Sequence, residues 1–228
     1  AHDRQHPRKR LRPFASGALS PSFGWVLAAV LLVMALAVAM AAPPGFLWVL
    51  GVYYGLTLAY SFGLKRKMMI DVVVLACLYG VRIVAGAAAI EVPLSEWLIA
   101  FSLFLFLSLA LIKRAAELAD LDEKADAQAP GRGYRRGDLP VIQIMAAVSG
   151  FLAVLVLALY LVSPQVAKLY REPVFLWGLC IVLVCWLGRA LLLTGRGEMH
   201  EDPVLFAFTD GTSLATVPVI GVLFFLSL

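Results

Sequence analysis

The 228-residue chain is 62% hydrophobic and 15% charged, with a formal net charge of +4. Soluble domains carry about 25% charged residues, so a water-soluble globule is excluded. Several apolar runs approach the ~20 residues that cross a bilayer as a helix, which leaves an all-α, polytopic transmembrane bundle with one intramembrane domain.

Residues 1–20, AHDRQHPRKRLRPFASGALS, form a polar loop in which Pro7 and Pro13 oppose a long helix. Spans are predicted over 21–42, 46–62, 70–90, 94–112 (with helix continuing through 119), 139–162, 173–193 and 213–228. Pro43, Pro44 and Gly45 turn the chain after the first, and Glu91, Val92 and Pro93 after the third. Residues 63–69 are a short basic loop, 120–138 and 194–212 are polar loops, and 163–172 is a loop on the other side. Cys77, Cys180 and Cys185 lie in apolar runs as small buried residues, and His2, His6 and His200 are not clustered for metal.

Seven spans assign fifteen Lys/Arg to the loops of one side and only Lys168 and Arg171 to the other. Cytoplasmic loops carry the excess of positive charge, so the N-terminal segment and the long polar loops are expected in the cytoplasm. Arg82 and Arg189 lie within spans.

Three segments on that side carry candidate chemistry. The first, residues 3–13, holds Arg10 and Arg12, which can grip phosphate bidentately. As a charge cluster alone it reads first as a topology or lipid-contact signal. The second runs from Tyr60 to Arg82. Lys65 can neutralise a diphosphate, and Asp71 can hold Mg²⁺, which typically takes one or two carboxylates plus substrate phosphates. Asp71 and Arg82 are eleven residues apart, about three helical turns, so they share a helix face and are expected to line one cavity. An intramembrane charge usually faces a bundle interior, so Arg82 is expected to point inward rather than merely to brace helices. The third is Lys113, Arg114 and Glu117, spaced i,i+3 and i,i+4 to converge on one rim. A helix-end salt bridge, worth little, is its plainer reading. Residues 131–138, GRGYRRGD, can act as a lid, and Glu198, Asp202 and Asp210 are further acidic candidates.

These segments together resemble the UbiA superfamily of intramembrane prenyltransferases. Asp3 followed by HPRKRLRPFASGALS looks like the end of that family's first aspartate-rich motif. YSFGLKRKMMIDVVVLACLYGVRIVAGAAA and LIKRAAEL are closer to its decaprenyl-phosphate phosphoribosyltransferase branch than to its 4-hydroxybenzoate branch. The usual second aspartate-rich motif is replaced by Lys113, Arg114 and Glu117, then Asp120 and Asp122. GRGYRRGDL and GEMHEDPVLFAFTDGTS resemble proteins in which this membrane domain follows a HAD-like phosphatase domain.

The resemblance implies a nine-helix fold, of which residues 1–228 would supply seven helices as one transferase domain, lacking the first two and inactive alone. It implies a Mg²⁺-dependent transferase of cell-envelope lipid synthesis acting on a polyprenyl phosphate or diphosphate, with release of diphosphate. Asp3 and Asp71 would be metal ligands. Asp71, Lys65 and Arg82 would be catalytic, and Arg10, Arg12, Lys65, Arg82, Lys113 and Arg114 would bind phosphate, with Tyr60 and Glu117 supporting. The second substrate would be phosphoribosyl diphosphate or, in the alternative, an aromatic 4-hydroxybenzoate-type acceptor. No nucleic-acid partner is expected. A membrane transporter or anchoring domain is the reading from another class, although no internal repeat is evident. Single cysteines placed at 65–67, 124–136 or 196–200 should react from the cytoplasmic side, and those at 165–171 from the opposite side. Labelling of 124–136 from outside would overturn the span count.

Overall fold

The computed structural model describes residues 16–17, 19–121, 133–199 and 202–228. All the regular elements among them are helical: α1 (Pro21–Met40), α2 (Pro44–Phe62), α3 (Ile70–Ala89), α4 (Glu96–Ala119), α5 (Leu139–Leu161), α6 (Pro164–Leu169), α7 (Trp177–Gly195), α8 (Pro203–Thr209) and α9 (Gly211–Ser227). Three 3₁₀ turns, Leu64–Arg66, Arg136–Asp138 and Pro173–Leu176, tighten the connections.

Among the described residues six helices are long and apolar enough to cross a membrane, and the pair α8–α9, bent by 74° at the break, brings the number to seven if it is counted as one broken span. The first six predicted spans therefore hold. The stretch 194–212, expected as an extended polar loop, instead contains α8. Asp202 starts that helix by accepting hydrogen bonds from the amides of Val204 (2.9 Å) and Leu205 (3.4 Å), and Pro203 suits its first turn because the missing amide is one the helix leaves unpaired. Asp210 then caps α9 through the Ser213 amide at 2.8 Å. Two N-capping aspartates eight residues apart make two helices rather than one. The expected loop 163–172 likewise contains α6.

α4 is the central element, packed against α3, α5 and α7. Its pairings are antiparallel: Ser108 Oγ donates to the Ala146 carbonyl at 2.7 Å and Ser149 Oγ to the Phe104 carbonyl at 2.8 Å. Small residues make this closeness possible. A Cβ on Gly150 would lie 2.9 Å from Ser108 Oγ and 3.2 Å from Leu187 Cδ1, so α4, α5 and α7 meet at a residue without a side chain. Tyr79 stacks on Phe106 across α3 and α4. The bidentate Arg189–Asp210 pair (2.6 and 3.0 Å) and the Trp186–Ser213 hydrogen bond (3.0 Å) fasten α7 to the α8–α9 break.

The antiparallel order collects the end of α2, the start of α3, the end of α4, the start of α5, the end of α7 and α8 at one end of the bundle. The main core lies there, with Val72, Ile112, Ala115, Leu118, Ile142, Ala146 and Ala190 nearly inaccessible. A smaller cluster of Leu161, Val166, Leu176 and Cys180 closes the other end. Most of the apolar surface of α1 and α2 is uncovered by protein, which suits helices whose solvent is lipid. Gly150→Ala is expected to lower stability by about 1–3 kcal/mol, the usual cost of overpacking, because Ser108 would have to leave Ala146. A detergent melting curve reads this.

Candidate functional site

At the enclosed end, Asp71 and Arg114 are both inaccessible, and Arg114 Nη2 lies 2.7 Å from Asp71 Oδ2. Arg114 Nη1 also pairs with Glu117 one turn on. The other Asp71 oxygen, Oδ1, accepts the hydroxyl of Tyr134 at 2.5 Å. That hydroxyl in turn accepts the Met69 amide at 2.7 Å, and the Arg114 guanidinium sits over the Tyr134 ring, 5.5 Å from its centroid. Two charges moved out of water are tolerable only when compensated; here the ion pair at Nη2–Oδ2 supplies the compensation, although neither those two atoms nor Arg114 Nε makes a hydrogen bond of good geometry among the described residues. Tyr60, at the end of α2, lies within the electrostatic reach of Arg114, Asp71, Glu117 and Lys113.

The rim is formed by lysines. Lys113, one residue before Arg114, turns the other way and binds Asp202 Oδ2 at 2.8 Å, both groups about a third exposed. Burial works to raise the Asp202 carboxyl, but the Lys113 ammonium and the two helix-start amides outweigh it and hold the group below its ordinary value. Lys65 is half-buried in the 3₁₀ turn between α2 and α3.

The structure thus brings together Tyr60, Asp71, Arg114 and Glu117, with Lys113 and Lys65 at the same end. It corrects four expectations. Asp71 is no open metal ligand, because Arg114 and Tyr134 occupy its two oxygens. Arg114 is enclosed and cannot present its guanidinium to a phosphate. Arg82 does not join Asp71. It is exposed on the α2–α3 face, donates to the Tyr53 hydroxyl at 2.9 Å and lies against the Tyr53 and Tyr79 rings. The two residues do share a stripe of α3, but the neighbours of that stripe change from α4 and Tyr134 at its start to α2 three turns later. Asp202 and Asp210 are capping and ion-paired residues, not free acids. Asp3, Arg10 and Arg12 lie outside the described residues.

Tyr134 is the member of this cluster that the sequence did not single out. It stands in the stretch expected to be a lid, yet it is buried in the core. The signal available was a lone aromatic among Gly and Arg in GRGYRRGD.

The model of the UbiA prenyltransferase family matches residues 1–211. The chain belongs to this family. It is an integral, multi-pass membrane protein. It is 35% identical over 218 residues to the nodulation protein NoeC of Azorhizobium caulinodans, covering 95% of this chain and 71% of that protein. It is 37% identical over 212 residues to protein y4nM of Sinorhizobium fredii, covering 92% of this chain but 41% of that protein. Decaprenyl-phosphate phosphoribosyltransferase of Mycobacterium tuberculosis is 39% identical over 116 residues, 51% of this chain and 38% of that protein. Against the last two, the match spans less than half of the relative's length. These comparisons give no support to an upstream phosphatase-like domain.

UbiA prenyltransferases generally use a divalent metal. Among the described residues no group of three or more His, Cys, Asp or Glu side chains is placed to hold one, and the Asp71 carboxylate is closed by a guanidinium. The described residues therefore do not fit a metal centre.

Burial, followed by the hydrogen bond to Asp71, raises the Tyr134 hydroxyl well above its ordinary value of 10.0. A group whose folded value is raised contributes stability in full below the unfolded value and loses it as pH climbs towards the folded one. Stability should therefore fall progressively above pH ~10. Tyr134→Phe should flatten that alkaline limb in denaturation curves recorded from pH 8 to 11.

Proposed function

We propose that residues 1–228 act as one transferase domain, with the charged end of the bundle facing the cytoplasm. The domain transfers a phosphoribosyl group to a polyprenyl phosphate, a reading supported by its partial match to the decaprenyl-phosphate phosphoribosyltransferase of Mycobacterium tuberculosis, with phosphoribosyl diphosphate as the donor we assign. The observation that carries this reading is the gathering of charged side chains from separate connections at one end of an otherwise apolar bundle. Lys65 comes from the α2–α3 corner, Lys113 from α4 and Asp202 from the start of α8. An isoprenoid chain can lie in the bilayer beside such helices while its phosphate meets cations at the membrane surface.

In the proposed reaction a phosphate oxygen of the lipid attacks C1 of the ribosyl group. The new C–O bond forms, the C1–diphosphate bond breaks, and the diphosphate leaves with the electron pair. Charge grows on the departing oxygens, so fixed cations act most strongly there. Lys65 and Lys113 are the described residues suited to that task. Asp71, Arg114, Glu117 and Tyr134 form the support beneath them. Arg82, held by Tyr53 three turns along α3, is assigned no phosphate contact. Mg²⁺, if bound, would be held by Asp3, which lies outside the described residues, and would supply further positive charge to the departing diphosphate.

Full-length protein given polyprenyl phosphate and labelled phosphoribosyl diphosphate should make a labelled lipid and one diphosphate per turnover. Lys65→Ala should lower kcat/KM by about 100-fold, the usual loss for one stabilising donor. Turnover only with a polyprenyl diphosphate and an aromatic acid would contradict the reading and favour aromatic prenylation.

A further inference from the structure

We infer that Tyr134 is a positioning residue that holds the 64–69 corner, and with it Lys65, in the geometry that binds phosphate; the phosphate half of this inference rests on the function proposed above.

The corner between α2 and α3 is built almost wholly from local contacts. The Arg66 amide bonds to the Gly63 carbonyl (3.1 Å), Lys67 to Leu64 (3.1 Å), Ile70 to Met68 (2.7 Å) and Asp71 to Lys67 (3.2 Å). Such a turn has little to fix it against the bundle. Met69 also has positive φ, 63° with ψ −38°, the rare γ-turn closed by the Ile70 amide on the Met68 carbonyl, a strained conformation that persists only when its surroundings over-determine it. Among the described residues, the hydrogen bond that ties this corner to another segment runs from the Met69 amide to Tyr134 Oη.

Tyr134 is suited to that role. Its hydroxyl is buried, and it is satisfied as acceptor from Met69 and donor to Asp71. Asp71 is itself fixed by Arg114. The strained residue is therefore connected through one phenol to the most enclosed charge pair of the bundle. The backbone beside it confirms the fit: a Cβ on Gly133 would lie 3.0 Å from Met68 Cγ, 3.3 Å from the Arg66 carbonyl and 3.4 Å from the Met68 amide. The 133–134 strand of loop thus lies directly on 66–69. Lys65 is half-buried in the same corner, four residues before Met69. The hydroxyl is too enclosed to meet a substrate, so its influence passes through the corner.

The test uses full-length protein in detergent, with inorganic diphosphate as the probe. Hydrogen exchange across 64–69 and diphosphate affinity are measured for the wild type, Tyr134→Phe, Lys65→Ala and the double variant. Tyr134→Phe should speed exchange in the corner and weaken diphosphate binding about tenfold, ~1.4 kcal/mol. The double variant should bind no more weakly than Lys65→Ala, because both changes act through one cation. Gly133→Ala leaves the Tyr134 hydroxyl in place but presses on Arg66 and Met68, and should produce the same pair of effects if the Phe variant does not fold. Unchanged corner exchange in these variants overturns the positioning role, whatever the protein binds. Additive losses in the double variant overturn its action through Lys65. A wild type that ignores diphosphate, with corner exchange still raised by Tyr134→Phe, upholds the tie and sinks the proposed function instead.

Discussion

The ion pair between Asp71 and Arg114 is the constraint on which the rest of this end of the molecule depends. Neither side chain is accessible. Breaking such a pair by removing one partner costs about 3–5 kcal/mol, because a buried charge is left uncompensated. The pair therefore fixes the start of α3 against the end of α4. Arg114 draws in Glu117, and Asp71 draws in Tyr134 and through it the Met69 amide. Three segments that are distant in the chain, 69–71, 114–117 and 134, are set in register by two charges.

This arrangement separates support from contact. The strongest cation of the LIKRAAEL stretch is turned inward, and its neighbour Lys113 is left at the rim with Asp202. A helix places consecutive residues about 100° apart, so Lys113 and Arg114 cannot both face the core. The close α4–α5–α7 contact at Gly150 and Ser108 keeps α4 rigid beneath them. By contrast, α1 and α2 leave most of their apolar surface uncovered by the described residues, although α2 still packs on α3 through Tyr53 and Arg82.

Much of the fold was legible in the sequence. Apolar runs of membrane length and the Pro/Gly turns between them gave six of the spans, and the Arg114–Glu117 pair followed from spacing within one helix. The α8–α9 break had local signals in Asp202, Pro203 and Asp210, but its 74° bend depends on those aspartates also being held by Lys113 and Arg189 from other helices. The same reason hid the partners of Asp71. Periodicity correctly put Asp71 and Arg82 on one stripe of α3, but it carries no information about which helix covers each part of that stripe. A buried phenol in a loop rich in Gly and Arg is a tertiary fact, set by Gly133 lying on Arg66 and Met68.

The central claim is that Asp71 belongs to Arg114 and not to a metal. It is tested by a double-mutant cycle with Asp71→Asn and Arg114→Met, read by denaturant unfolding in detergent with and without added divalent ions. Each single change should be strongly destabilising, and the double variant should be more stable than the sum of the two losses implies, with a coupling of about 2 kcal/mol or more. Additive losses, together with a divalent-ion stabilisation that disappears in Asp71→Asn, would contradict it.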